Sequence, residues 1–259
     1  MNIKVLIAAH KQCDLPQDSI YLPVQVGRAL HPDVSLEGYQ PDNEGDNISE
    51  KNMHFCELTA MYWGWRNLKA DYVGLVHYRR FLGVRKASDK LSAILNYDDA
   101  ENLCANNDIV LPQKRRYFIE TIWSHYKHTH DISHLEKTRA ILESYSPDYL
   151  PAYNKVMKRT WAHMFNMFIM KKSLMDDYCG WMFPILFELE KQVDLRSLST
   201  FDARLFGRVS EFLLDVWIEK NQLKYKEVKM IQLGAENWPV KIMSFLEAKF
   251  LGKKYSQSR

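Results

Sequence analysis

Closely spaced cysteines are missing from this sequence of 259 residues. Its four cysteines, Cys13, Cys56, Cys104 and Cys179, lie far apart, and no two of them have Cys-x-x-Cys spacing. Disulfide scaffolds and zinc sites both depend on denser cysteine patterns. We therefore expect neither, and the pattern favours a protein of the reducing cytoplasm.

Long apolar runs are missing as well. No stretch approaches the ~20 apolar residues that a transmembrane helix needs. The apolar run at residues 3–9 is too short for the core of an export signal. We expect no membrane span and no export signal, and we interpret the run as a buried strand.

A strong excess of charge of one sign is also missing. The sequence has 35 Lys and Arg against 32 Asp and Glu, a formal net charge of +3, which by itself does not indicate nucleic-acid binding. A nucleic-acid-binding protein stays an alternative because of the basic run at 113–116. Aromatic residues make up 13% of the chain, which suits stacking on sugars or bases and equally suits a large core.

Polar and cationic residues follow two predicted strands. The strand at 3–9 ends at Ala9-His10-Lys11, and the strand at 72–77 runs into Tyr78-Arg79-Arg80. Ligands of open α/β sheets bind outside the C-terminal ends of strands. Guanidinium groups hold phosphate in bidentate fashion, so this edge is a candidate anion site. A solvated surface is the alternative.

A long polar loop or lid at 31–50 precedes a predicted helix at 50–68. Asn47 and Glu50 have the spacing of a capping box. The helix carries an apolar stripe of Phe55, Leu58, Tyr62 and Trp65, which predicts core packing. Glu57 lies beside this stripe rather than opposite it.

Histidines are concentrated between residues 123 and 134, at His125, His128, His130 and His134. No His-Glu-x-x-His motif is present, so a metal site is one interpretation among several. Contacts to an acceptor, or a partly ordered loop, are the others. A helix is predicted at 86–105, a strand at 108–112, and one or two helices at 135–160, broken by Pro147 and Pro151.

The second half of the chain offers a buried amide and a carboxylate. The apolar run at 163–170 predicts a buried strand interrupted by Asn166, which is either a structural hydrogen bonder or a sugar contact. Helices are predicted at 176–193 and 208–220, and the second places Glu211 in its first turn. The helix dipole would then keep Glu211 ionised, as suits a base, a sugar ligand or a capping residue.

Motifs along nearly the whole chain resemble the DUF4422 family of bacterial capsule and exopolysaccharide glycosyltransferases. The most specific matches are the stretch from Asn47 to Asn67 and that from Gly74 to Arg80. Weaker matches are His10-Lys11, the segment from Asn166 to Met170, and the segment from Arg204 to Glu211. Phe212 departs from the family pattern, which usually has Arg after the Glu.

The resemblance implies a GT-A-like α/β fold with a mixed central sheet flanked by helices. We expect one catalytic domain over residues 1–237 and a basic amphipathic tail over 238–259, which either lies on a membrane or packs on the core. The implied reaction moves galactose, in pyranose or furanose form, from a UDP-sugar to a glycan or lipid-linked acceptor. Capsule, O-antigen or exopolysaccharide synthesis at the inner membrane face is the implied setting.

Site residues follow from the resemblance and from the strand ends together. The expected donor-binding set is Ala9, His10, Lys11, Asn47, Asn52, Glu57, His77, Tyr78, Arg79 and Arg80. The expected acceptor or sugar contacts are His128, His130, Asn166 and Arg204. Glu211 is the first choice for the catalytic base of an inverting transfer and Asp202 the second.

The charge of the leaving diphosphate can be met in two ways. The strand at 72–77 is not followed by the Asp-x-Asp motif with which GT-A enzymes hold a metal. Either Lys11, Arg79 and Arg80 take the place of the metal, or Mn²⁺ or Mg²⁺ binds through His77 and carboxylates elsewhere. A non-catalytic protein that binds nucleotide sugars or glycans is the rival interpretation.

Overall fold

The structure is a computed structural model that describes residues 1–84, 87 and 89–234. These residues form a mixed sheet with helices on both faces. The strands are β1 Ile3–Ala9, β2 Tyr21–Gln25, β3 Gln40–Pro41, β4 Tyr72–His77, β5 Arg80–Gly83, β6 Ile109–Pro112, β7 Arg115–Arg116, β8 Trp161–Ala162, β9 Phe168–Lys171 and β10 Tyr225–Gln232.

The helices lie between the strands and after them. The α-helices are α1 Asn52–Phe55, α2 Leu58–Asn67, α3 Tyr97–Asn106, α4 Ile122–Thr129, α5 Ser133–Tyr145, α6 Leu150–Met157, α7 Lys172–Lys191 and α8 Leu205–Asn221. Short 3-10 helices cover Arg28–Leu30, Ser49–Lys51, Leu91–Ala93, Pro147–Tyr149, Leu195–Ser197 and Asp202–Arg204.

The central sheet is parallel on one side and mixed on the other. Strand β1 pairs in parallel with β2 and β4, and β2 pairs in parallel with β3. Strand β4 pairs antiparallel with β9, which pairs antiparallel with β6. Strand β10 joins β6 in parallel and β5 antiparallel, while β7 and β8 form a separate two-stranded sheet. The prediction of an α/β fold with a mixed central sheet is confirmed.

Apolar side chains fill both faces of this sheet. The larger cluster packs α2, α5, α6, α7 and α8 on one face, and includes the fully buried Leu6, Leu75 and Phe168. The smaller cluster packs α3 on the other face. Burial on both faces explains why β1 and β4 are almost continuously apolar rather than alternating. None of the helices within the described residues is long and apolar enough to span a bilayer.

The predicted helix at 50–68 is in fact interrupted. A 3-10 turn at 49–51 and α1 are separated from α2 by Cys56, whose φ is 52° and ψ −127°. The predicted capping box is wrong: Asn47 Oδ1 accepts from the Ser49 N–H, and Glu50 takes no part. Apolar periodicity continues across the break because both helices pack on the same core, so the stripe alone conceals the break.

Two predictions in the second half also need correction. The buried strand expected at 163–170 begins only at Phe168, and the residues before it form a turn. Helix α8 begins at Leu205 rather than 208, so Glu211 lies in its second turn and the expected dipole effect does not apply. The run is apolar because the turn is buried. In a sequence, a buried turn and a buried strand both appear as short apolar runs.

Three further expectations concern a helix, the histidine-rich stretch and the C-terminal tail. Among the described residues of the helix expected at 86–105, α3 is the α-helical part, and it follows a 3-10 turn at 91–93. The histidine-rich stretch is helical in α4 and at the start of α5, not a partly ordered loop. The tail at 238–259 lies outside the described residues.

Candidate functional site

The C-terminal ends of β1 and β4 meet at one edge of the sheet. Ala8 of β1 pairs with His77 of β4, so the segments that leave these strands, His10-Lys11 and Tyr78-Arg79, are neighbours. The His10 and Tyr78 rings make an edge contact with centroids 5.1 Å apart. The two strand ends therefore form one surface.

Cations surround Tyr78 at this edge. The Lys11 ammonium lies 5.7 Å and the Arg79 guanidinium 5.0 Å from the ring centroid. Burial and the charges of Lys11, Arg79 and Arg204 lower the pKa of His10, so its imidazole is neutral at physiological pH. The edge therefore presents fixed positive charge together with a neutral ring that can donate or accept a hydrogen bond.

A strained turn before β9 forms the floor beside this edge. Phe165 and Asn166 have φ of 73° and 52°, in the left-handed region that side chains other than glycine seldom adopt. Asn166 is buried, and its amide nitrogen donates to Glu57 Oε1 at 2.7 Å and to the Gly207 carbonyl at 2.9 Å. Its amide oxygen accepts from Ser210 Oγ at 2.9 Å. The network holds the turn in its strained shape, a common feature of functional sites.

Glu57 reaches this turn from a second strained residue. Cys56, immediately before it, adopts the positive φ that separates α1 from α2. The abrupt change of direction places Glu57 at the start of α2 and turns its carboxylate toward Asn166. Three of the positive-φ residues other than glycine in the described part of the chain thus surround one carboxylate pair.

Glu211 is the second carboxylate of the pair. One oxygen accepts the Phe165 N–H at 3.0 Å, and the residue is only 9% exposed. Burial and the nearby charge of Glu57 raise the pKa of Glu211 to about 8, against the opposing effects of that hydrogen bond, Arg204 and Arg208. A carboxyl group with a pKa near the working pH is suited to proton transfer.

Helix α8 is locked to the strained turn one helical turn beyond Glu211. Asp215 accepts the His163 N–H at 2.9 Å through one oxygen and lies 2.6 Å from His163 Nδ1 through the other. Both residues are almost fully buried. His163 Nε2 lies 3.2 Å from Glu227 of β10, so the bridge ties the turn to a helix and a strand.

Two more residues, His77 at the end of β4 and Arg80 at the start of β5, face the turn. His77 Nε2 donates to the Phe165 carbonyl at 2.6 Å, and the Arg80 guanidinium lies 4.3 Å from the centre of the Phe165 ring. Burial lowers the pKa of His77, with Glu57 acting in the opposite direction. His77 and Arg80 therefore support the floor of the site.

Arg204 lies beside the carboxylates at the start of α8. Its guanidinium interacts with the Cys56 thiol and lies within electrostatic range of Glu57 and Glu211. Burial raises the pKa of Cys56 to about 11, so this thiol is neutral and is not a nucleophile. Arg204 thus connects the cationic edge to the carboxylate pair.

The donor set of the site does not fit a divalent cation. No group of three or more His, Cys, Asp or Glu side chains within the described ranges is arranged to hold a metal. Glu57 and Glu211 are engaged by N–H donors, and His77 uses Nε2 to hold a carbonyl. Cationic side chains surround them, which opposes the approach of another cation.

Several predicted site residues lie apart from this cluster or serve it structurally. The Asn47 side chain bonds the loop backbone at Asn43 and Gly45, and Asn52 donates to the Cys56 carbonyl and to Thr59 Oγ1. Asp202 accepts from Ser199 Oγ at 2.7 Å. These contacts give each side chain a local structural role.

The two predicted acceptor histidines occupy different surroundings. His128 Nδ1 lies 2.7 Å from Glu120 Oε1. The His130 ring stacks on Phe201 with centroids 5.2 Å apart, and the Phe201 carbonyl accepts from Arg208. Only His130 is therefore linked to the site, through the arginine that precedes Glu211 by one helical turn.

Sequence reasoning did not identify Phe165, Ser210 or Arg208. Phe165 contributes through its backbone and ring, for which a sequence carries no signal. Arg208 stands three residues before Glu211, on the same helix face, and placing the helix start at Leu205 would have identified it.

Comparisons with known proteins show the family and a similar solved structure. The structure is similar to the apo structure of the bifunctional glycosyltransferase WbbM, with a TM-score of 0.83 and 30% sequence identity. The match covers 91% of this chain and 46% of the WbbM chain, so this chain spans about half the length of that protein. No curated protein matches the chain. The sequence profile of DUF4422, described as a domain of unknown function, matches residues 4–222, and this chain belongs to the DUF4422 family.

Proposed function

We propose that this protein is an inverting glycosyltransferase that moves a sugar from a UDP-sugar to a glycan acceptor. The observation that carries the proposal is Glu211, a buried carboxyl group with a pKa raised to about 8, next to a cationic edge where two parallel strands end. The structural similarity to WbbM and the family membership support glycosyltransferase activity in general. Galactose as the sugar and surface polysaccharide as the product are carried over from the family resemblance.

The cationic edge would receive the diphosphate of the donor. When the bond between the anomeric carbon and the diphosphate oxygen breaks, its electron pair leaves with the diphosphate. Lys11, Arg79 and Arg204 are the cations placed to stabilise this growing negative charge. A site built from fixed cations needs no metal ion for this step.

Glu211 would act as the base on the acceptor. An acceptor hydroxyl attacks the anomeric carbon from the face opposite the diphosphate, and its proton passes to the Glu211 carboxylate. A new glycosidic bond forms while the old bond breaks, so the configuration inverts. Glu57, Asn166 and the Phe165 N–H position Glu211, and they exchange no proton with the substrate.

Calorimetric titration with UDP and then with a panel of UDP-sugars tests the donor. We expect UDP to bind equally well with manganese and with a chelator, because cations of the chain bind the diphosphate. Binding that requires manganese would refute the metal-free assignment. Absence of UDP binding under both conditions would refute the donor class.

The base is tested by Glu211→Gln, with Glu143→Gln as the control. Glu143 is exposed on α5 and pairs along its own helix with Arg139. We expect E211Q to lower turnover by about 10³-fold while UDP still binds, in the range typical for general catalysis. Asp202→Asn should have little effect, since Asp202 bonds Ser199. Unchanged turnover in E211Q would show that another group is the base. UDP binding without any turnover in the wild type would favour the rival, a binding protein without catalysis.

A further inference from the structure

Two adjacent apolar side chains project from the loop between β7 and α4. Phe118 is 81% exposed and Ile119 is 79% exposed, more than the other exposed large apolar residues among those described. Isolated exposed apolar residues are common on protein surfaces, but neighbouring large ones that are this open mark interaction sites. We call Phe118 and Ile119 the apolar tip.

Backbone hydrogen bonds at Tyr117 fix the conformation of the apolar tip. Phe118 has φ 59°, and the N–H groups of Ile119 and Glu120 both donate to the Tyr117 carbonyl. The Tyr117 N–H donates in turn to the Thr160 carbonyl at 2.7 Å. The strained backbone at Phe118 therefore directs two apolar side chains towards solvent.

Glu120, the residue after the apolar tip, is fixed by its buried carboxylate. Glu120 is 5% exposed, and its two oxygens lie 2.8 Å from His125 Nδ1 and 2.7 Å from His128 Nδ1. Both histidines stand on α4, so the loop is clamped to that helix. The apolar tip is consequently a preorganised projection.

The surface around the apolar tip is positive. Between residues 113 and 130 the chain has four Lys or Arg residues, of which Lys114 pairs with Glu227, and one acid, the clamped Glu120. Arg115 and Arg116 of β7 are both exposed directly before the tip. An apolar projection beside exposed arginines is complementary to a surface that is apolar inside and anionic outside.

Two acids on α8 and β10 are already paired with cations. Glu219 is bound by Lys155 and Arg159, and Glu227 by Lys114. These acids therefore do little to offset the charge of Arg115 and Arg116.

The apolar tip also lies close to the candidate site. Tyr117, at its base, donates through its hydroxyl to Met164 Sδ at 3.2 Å and lies in the electrostatic field of Glu211. Met164 directly precedes Phe165, whose N–H holds Glu211. A surface that engages the tip would therefore lie near the carboxylate pair.

We propose that the apolar tip inserts into the interfacial layer of an anionic lipid bilayer, with Arg115 and Arg116 contacting the headgroups. The occupant is a membrane rather than a protein because the exposed charge is positive and the apolar contact consists of only two side chains. Membrane binding by this loop does not depend on the proposed transfer reaction.

Vesicle flotation of the full chain tests the proposal. The probe is phosphatidylcholine vesicles with roughly 30% phosphatidylglycerol, compared with pure phosphatidylcholine. We expect the wild type to float with the anionic vesicles, and the double variant Phe118→Ser, Ile119→Ser to lose at least about tenfold in partitioning. Arg115→Gln with Arg116→Gln should lose about fivefold per charge, and added salt should reduce this difference.

Tyr145→Ser is the matched control, because Tyr145 is 61% exposed at the far end of α5. It should float like the wild type. All variants retain residues 238–259, so any contribution of that segment is the same in each. Flotation unchanged in the tip double variant, or wild type that does not bind anionic vesicles, overturns the proposal. Binding of UDP by the tip variant should be unchanged, which separates this test from that of the donor site.

Discussion

The buried Glu211 is expected to lower the free energy of unfolding at neutral pH. Its pKa is raised to about 8 in the folded state by burial and by Glu57, while the unfolded chain has the ordinary value near 4.5. The folded state therefore favours the protonated form. This preference costs nothing below about pH 4.5, because the group is protonated in both states, and the cost grows as the pH rises toward 8.

The magnitude follows from the gap between the two values. Each pH unit above 4.5 weakens folding by about 1.4 kcal/mol until the folded group also ionises. At pH 7 the cost reaches about 3 kcal/mol. Glu211→Gln removes the titration and leaves an amide oxygen that can accept the Phe165 N–H. We expect the variant to be more stable than the wild type, by a margin that increases with pH.

Urea unfolding of both proteins at about pH 5, 6, 7 and 8 measures this margin. A difference of about 3 kcal/mol at pH 7 corresponds to roughly 6–12 °C in melting temperature for a domain of this size. Glu143→Gln, on the exposed face of α5, should show no comparable rise with pH. If the margin of E211Q stayed constant across the series, the raised pKa and the reasoning from burial would both be wrong.

Three further predictions concern the same elements. In the wild type, kcat/KM should rise about tenfold per pH unit up to about pH 8, because only ionised Glu211 accepts a proton; a flat profile would refute its role as base. Asp215→Ala should lower the free energy of unfolding by about 3 kcal/mol, measured in urea, since it leaves the His163 N–H buried without its acceptor; a loss below about 1 kcal/mol would contradict this. Gly74→Ala should destabilise the protein by about 1–3 kcal/mol, because the added Cβ would lie 2.8 Å from the Phe168 carbonyl oxygen. Gly180→Ala has open space around its Cβ in α7 and should stabilise the protein by up to about 1 kcal/mol. Thermal melts in which the two variants have the same melting temperature would contradict this prediction.

Much of the fold could be predicted from local patterns. The apolar runs that became β1, β4 and β6 are short and bounded by polar residues, and strands buried on both faces require such runs. Helix α7 likewise lies close to its predicted position, because its periodicity is long. Errors occurred where burial and regular structure diverge, as in the turn at Phe165 and Asn166.

The sequence by itself determined that cationic residues follow β1 and β4. Because these strands are parallel neighbours, their C-terminal ends lie at one edge of the sheet. It also identified Glu57, Asn166 and Glu211 as polar residues set among apolar ones. Only the tertiary structure decided that these three form one network, with the Phe165 N–H on Glu211 and the Asn166 amide on Glu57. Their interactions span 46 and 109 positions of the chain, and the left-handed turn that joins them is stable only because the surrounding core and hydrogen bonds hold it. Neither that separation nor that strain is encoded in any local pattern.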